Sequence, residues 1–215
     1  MEGKKETELA KATLDDQLET MERLLSQGVS AEAKDENGNP ALALAAEGGH
    51  LDALKLLHKH GANLDATNSG GGTALMNAVI NGRADCAETL LEWGADKDAV
   101  DSDGWTALHC AAKYGRLECA RLLVAARADR AKKNSDGDTA LELAWEEDKH
   151  KREVVKVMEQ ADANVSCGTA DSQPGVEDKV TEATRPKKRR VASRTSSVKG
   201  ACASPCVVRL CTLRR

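Results

Sequence analysis

Asp101-Ser-Asp-Gly-Trp-Thr-Ala-Leu-His-Cys-Ala-Ala-Lys-Tyr-Gly-Arg-Leu-Glu-Cys-Ala-Arg-Leu-Leu-Val-Ala-Ala-Arg-Ala128 is the stretch whose reading decides the fold. A polar turn carrying Gly104 leads into an Ala-rich segment, Ala107 to Lys113. A break at Gly115 follows, and then a second apolar-periodic segment, Leu117 to Val124. A turn and two short helices of this size cannot bury their own apolar faces, so the stretch predicts neighbours of the same kind.

The neighbours are present. At a shift of 33 residues the turn glycine recurs as Gly38, Gly71, Gly104 and Gly137, and the first turn residue as Asp35, Asn68, Asp101 and Asn134. The next track is Pro40, Thr73, Thr106 and Thr139, with Thr7 one period upstream. Leu9, Leu42, Leu75, Leu108 and Leu141 hold another register, and Ala12, Ala45, Ala78, Ala111 and Ala144 a third. Gly28, Gly61, Gly94 and Arg127 follow the second helix.

Asp103-Gly-Trp-Thr-Ala-Leu-His-Cys-Ala-Ala112 resembles the Thr-Pro-Leu-His-x-Ala core of ankyrin repeats, a family with a 33-residue period. The resemblance implies an all-α solenoid with β-turn fingers, each unit a finger followed by two antiparallel helices. Five units are expected over residues 1–160: 5–34, 35–67, 68–100, 101–133 and 134–160, the first and last degenerate as capping repeats. The first lacks a finger, and the last loses the mid-repeat glycine to Asp148, with a second helix expected over Lys151 to Gln160.

Side-chain chemistry agrees with that architecture. Asp or Asn opening a turn with Gly in fourth place is ordinary turn chemistry. Thr before Ala-Leu is placed to cap the first helix, which Pro40 cannot do with a side chain. The Ala tracks let inner helices approach, Leu57, Leu90 and Leu123 fill between outer helices, and Trp93 and Trp145 are expected in the core. Glycine at positions 28, 61 and 94 ends the second helix in a left-handed conformation, and Arg127 must do so at a cost of roughly 1 kcal/mol.

Charge is unevenly spread. The net charge of −4 combines 30 acidic and 20 basic side chains in residues 1–160, five acidic and one basic in residues 161–184, and ten basic and no acidic ones in residues 185–215. An acidic body argues against nucleic-acid binding by the repeats. Residues 161–215 fit no repeat and are expected to be a disordered tail with a basic cluster at 185–194. No apolar run approaches the ~20 residues of a membrane span. The N-terminus lacks the apolar segment of a secretory leader, so the seven cysteines are expected as reduced thiols in nucleus or cytoplasm.

No catalytic set, cofactor or metal site is expected. His109 beside Cys110 and Cys119 lacks an orienting acid, and the resemblance implies instead that His109 hydrogen-bonds within the turn. Cys202, Cys206 and Cys211 with Cys167 form no paired zinc knuckle, and no histidine follows His150. Acylation of the last three beside Arg209, Arg214 and Arg215 is a separate possibility. Gly70-Gly71-Gly72 has no phosphate-loop lysine and reads as a flexible fingertip.

The resemblance implies that a partner protein is held by variable finger and first-helix positions. These are Ser102, Asp103, Trp105, Lys113 and Tyr114 in the reference repeat, and Ser69, Gly70, Gly72, Ile80 and Asn81 in the one before. Glu36, Asn37, Asn39, Glu47 and Gly48 precede these, and Ser135, Asp136, Asp138, Glu146 and Glu147 follow. Trp105, expected to be partly exposed, and Tyr114 are residue types enriched at interface hot spots. In the tail, Pro186-Lys187-Lys188-Arg189-Arg190 resembles a nuclear localisation signal, which implies importin-α as a partner. Ser193 and Ser197, each three residues after an arginine, are candidate phosphorylation sites. The expected function is a non-enzymatic adaptor or inhibitor. The alternative is a nucleic-acid-associated regulator whose tail contacts DNA or RNA while the repeats recruit a protein.

Overall fold

A computed structural model of the chain describes residues 2–144 and 149–165. The chain divides into two units, Met1–Asp171 and Ser172–Arg215, and all described residues lie in the first.

Paired helices repeat through the described residues: α1 (Glu2–Leu14) with α2 (Leu18–Ser26), α3 (Ala41–Gly48) with α4 (Leu51–Lys59), and α5 (Ala74–Ile80) with α6 (Ala84–Glu92). They continue as α7 (Ala107–Lys113) with α8 (Leu117–Ala125), and α9 (Ala140–Leu143) with α10 (Lys149–Val165). The first helix of each pair packs on the first helix of the next, α1 on α3 and onward to α9, and the second helices make a parallel outer row. No strand ladder forms among the described residues, only isolated antiparallel bridges between Lys34 and Pro40 and between Lys133 and Thr139 at finger bases.

Small side chains explain the close inner row. Ala45, Ala78, Ala111 and Ala144 are wholly buried, and Leu57, Leu90 and Leu123 are buried between outer helices. Thr73, Thr106 and Thr139 each accept the backbone N–H three residues on, at 3.3–3.4 Å, while Pro40 makes no side-chain cap. A cap of this kind contributes about 1 kcal/mol, and less at such lengths.

Left-handed geometry falls where expected, at Gly28, Gly61, Gly94 and, with a side chain, Arg127 at φ 60°. One more was not anticipated. Asp16 has φ 54° in the place that Gly49, Gly82 and Gly115 take in later repeats, and its carboxylate lies 3.5 Å from His50 Nδ1.

Three expectations need correction. The last helix is longer than Lys151 to Gln160: it begins at Lys149 and continues past residue 160 to Val165. Gln160 stands where Gly28, Gly61 and Gly94 end the earlier outer helices, so no left-handed residue stops it. The second concerns Trp93, which packs at the edge of the core rather than inside it. It caps α6 half-buried and stacks on His58 of α4, ring centroids 4.1 Å apart and 13° from parallel. The third concerns Gly70-Gly71-Gly72, which forms the same hydrogen-bonded turn as its neighbours rather than a loose one. Trp145 and the rest of the segment 145–148 between α9 and α10 lie outside the described residues.

Candidate functional site

The candidate residues sit on fingers, and one side-chain device builds every finger. Asp35 Oδ1 accepts the N–H groups of Asn37 and Asn39, at 2.9 and 2.8 Å. Asn68 accepts those of Gly70 and Gly72, Asp101 those of Asp103 and Trp105, and Asn134 those of Asp136 and Asp138, all within 2.8–3.1 Å. Burial pushes the Asp35 carboxyl up, but hydrogen bonds from Asn39 and Asn37 outweigh it and hold the group below its usual value.

Fingers are also tied to one another. Ser102 N–H donates to the Gly70 carbonyl and Ser135 N–H to the Asp103 carbonyl, each at 2.9 Å. Ser69 makes the corresponding tie with its hydroxyl, which donates to the Asn37 carbonyl at 2.9 Å. Contact at Gly71 is so close that a Cβ there would lie 2.9 Å from Ser102 N.

Two further ladders carry the stack, and sequence reasoning missed both. Asp65 accepts the Asp96 N–H at 2.8 Å and Asp98 the Asp129 N–H at 2.7 Å, while Glu32 accepts that of Asn63. Arg83 Nε donates to the Glu47 carbonyl at 3.3 Å and Arg116 Nε to the Ile80 carbonyl at 2.9 Å. The available signal was the 33-residue spacing of Glu32, Asp65 and Asp98, and of Arg83 and Arg116.

The candidate partner-binding residues form two rims. Ser69, Gly72, Ser102, Asp103 and Trp105 belong to fingers, while Ile80, Asn81, Lys113 and Tyr114 lie at the far ends of α5 and α7. A seven-residue helix separates the rims by about 10 Å, and Ala107 to Ala112 between them are all buried. Tyr114 is 52% exposed, Lys113 is exposed, and Ile80 and Asn81 are half-buried. Trp105 is half-buried against the core, its ring tilted to that of His109 at 6.2 Å, so Tyr114 and not Trp105 presents the larger free face.

His109 and the cysteines do structural work. The Thr106 N–H donates to His109 Nδ1 at 3.1 Å, so Nδ1 is the bare nitrogen and Nε2–H donates to the Asp138 carbonyl at 3.2 Å. The ring is 1% exposed, and burial lowers its pKa against the opposing pull of the Asp138 and Lys132 carbonyls. Burial likewise raises the thiols of Cys86 and Cys119, and pushes Cys110 up to about 12. A histidine with both nitrogens engaged beside a thiol so reluctant to ionise is no nucleophilic pair. No cluster of metal-ligating side chains occurs among the described residues, and none of their helices is long and apolar enough to cross a membrane. Pro186, Lys187, Lys188, Arg189, Arg190, Ser193, Ser197 and the cysteines at 167, 202, 206 and 211 lie outside the described residues, as do Glu146 and Glu147.

No curated protein matches the chain. The family model described as Ankyrin repeats (3 copies) matches residues 9–101 and 94–167. With the family's finger-and-helix-pair architecture present in those same residues, the chain belongs to the ankyrin-repeat family, whose repeats are generic protein-interaction modules.

Proposed function

We propose that this protein is a non-enzymatic adaptor or inhibitor that holds a partner protein along its fingers and the exposed ends of its inner helices. The observation that carries the reading is Tyr114. It is a large side chain, 52% exposed, standing at the end of a helix whose first six residues are buried. Lys113 lies beside it, and Ile80 and Asn81 occupy the positions of Lys113 and Tyr114 one repeat earlier. A rigid aromatic next to a half-buried aliphatic on a fixed scaffold is the composition of an interface hot spot. Occlusion or scaffolding is then the mechanism, with no chemistry.

The test is affinity purification of the intact protein beside Tyr114→Ala and the double variant Trp105→Ala with Tyr114→Ala. The single variant separates lost binding from lost packing, because Trp105 leans on the core. A partner lost with Tyr114→Ala, at unchanged melting temperature, supports this face. Identical partner lists for all three proteins would sink it.

The cluster Pro186 to Arg190 supports delivery to the nucleus through importin-α, since four consecutive cations after a proline suit an acidic groove. Phosphates on Ser193 and Ser197 would add about −2 each at pH 7 and weaken that contact. An unchanged nuclear fraction for Ser193→Glu with Ser197→Glu would overturn the regulatory part. The second reading, contact of residues 185–215 with DNA or RNA, rests on their ten cations and no acid. It predicts binding to nonspecific DNA that falls steeply with salt and disappears with those residues.

A further inference from the structure

The tie between fingers has a fixed register, a donor on one finger reaching the carbonyl 32 residues earlier: the backbone N–H of Ser102 to Gly70 and of Ser135 to Asp103, and the Ser69 hydroxyl to Asn37. For the first finger the donor in that register is Glu36 and the acceptor would be Lys4. Lys4, however, lies in helix α1, where its carbonyl faces along the helix and accepts the Thr7 hydroxyl at 3.0 Å. The Glu36 N–H has no protein partner among the described residues. At its N-terminal edge the finger ladder therefore leaves the Glu36 N–H without a preceding finger to donate to.

That edge borders a groove of about 400 Å³ between α1 and the first finger. Its apolar lining is Ala10, Leu14 and Leu44, with Leu14 51% exposed. On the helix side stand Lys4 and Lys11, which make no ion pair or side-chain hydrogen bond among the described residues. The nearby acids are committed elsewhere: Glu8 pairs with Arg23 at 3.3 Å, and Asp35 is engaged by Asn37 and Asn39. Only the exposed Glu36 carboxylate remains free, on the opposite wall.

We propose that this groove is a second docking site, for an extended peptide segment of a partner protein that continues the finger ladder. A backbone carbonyl of the segment accepts the Glu36 N–H, as Gly70 and Asp103 carbonyls do for later fingers. One of its apolar side chains covers Leu14 and Leu44, and an adjacent Asp or Glu meets Lys4 and Lys11. The bond to Glu36 fixes the segment's position, and the apolar and charged contacts beside it supply affinity and the choice of sequence. The site is separate from the rim at Tyr114.

Glu36→Pro tests it cleanly. The Gly38 N–H to Asp35 carbonyl bond closes a four-residue turn in which Glu36 is second, the position proline favours. The substitution deletes the donor and spares the Asn37 and Asn39 bonds that hold the finger. A phage-displayed library of random 12-residue peptides is selected on the full chain, and the recovered peptides are measured by fluorescence anisotropy. The expected peptides carry an apolar residue beside Asp or Glu and bind Glu36→Pro and Lys4→Glu/Lys11→Glu at least tenfold more weakly, at unchanged melting temperature. They bind Tyr114→Ala as they bind the parent, so failure here and failure of the Tyr114 face are distinguishable. Recovery of no such peptides, or equal affinity for Glu36→Pro and the parent, overturns the proposal.

Discussion

His109 joins two repeats: its Nε2 lies 3.2 Å from the carbonyl oxygen of Asp138, 29 residues on, while its Nδ1 takes the N–H of Thr106 in its own finger. Both bonds require the neutral ring with its proton on Nε2. Removing the ring leaves a buried N–H and a carbonyl short of a partner, along with a void. His109→Ala should therefore lower stability by roughly 2–3 kcal/mol, read from urea unfolding. The sign of the pH effect follows from the lowered pKa. Its contribution is complete above the ordinary imidazole value of about 6.5 and is lost as pH falls from there toward the folded-state value. Melting temperature should fall between pH 7 and pH 5 in the parent, with a smaller slope in His109→Gln. Equal slopes would rule the assignment out.

Arg127 is where the outer-helix termination departs from glycine. Its φ of 60° places a Cβ against the following carbonyl, at a cost of about 1–2 kcal/mol, and its side chain makes no bond among the described residues that would offset this. Glycine relieves the clash but loses more chain entropy on folding, about 0.5–1 kcal/mol. Arg127→Gly should stabilise the stack by roughly 0.5–1 kcal/mol, seen as a higher urea midpoint at unchanged slope. A lower midpoint would mean that the Arg127 side chain has a stabilising role.

What the sequence made legible was whatever repeats as a type of residue with one local job. The Asp or Asn of each turn, the capping Thr, the inner Ala track and the terminal Gly all act within a few residues of themselves, so period and chemistry point the same way. Glu32, Asp65 and Asp98 share the period too, but their partners lie 31 residues ahead, and in a list of residues they look like ordinary surface charge. Arg83 and Arg116 hide for the same reason, reaching back 36 residues. The candidate site was legible as positions but not as exposures. Tyr114 and Trp105 read alike as aromatic contact residues, and only packing separates the open ring from the one leaning on the core.

Gly71 and Gly94 separate two costs that a repeat glycine can carry. Both have positive φ, 80° and 89°. A Cβ on Gly94 would meet nothing within 4 Å, whereas one on Gly71 would lie 2.9 Å from Ser102 N and 3.0 Å from Asp101 Cα, both backbone atoms. Gly94→Ala should cost only the left-handed strain, about 1 kcal/mol. Gly71→Ala adds displacement of the next finger and should cost about 1–2 kcal/mol more. Equal losses in urea unfolding would mean that the fingers separate freely.

Cys86, Cys110 and Cys119 are buried thiols, and burial raises each of them. At a pKa of about 12, Cys110 is thiolate in roughly one molecule in ten thousand at pH 8, and the reagent must also reach it. Labelling of these three should therefore require opening of the stack. Iodoacetamide at pH 8, followed by peptide mass mapping, should leave them unmodified in the native protein and modify them in 8 M urea. Opening free energy varies along a repeat array, and end repeats open more cheaply than those enclosed on both sides. All three sit in enclosed repeats, so in intermediate urea their labelling should follow the main unfolding transition rather than precede it. Native labelling of Cys110 comparable to that of a free thiol would contradict the packing of α7 against its neighbours.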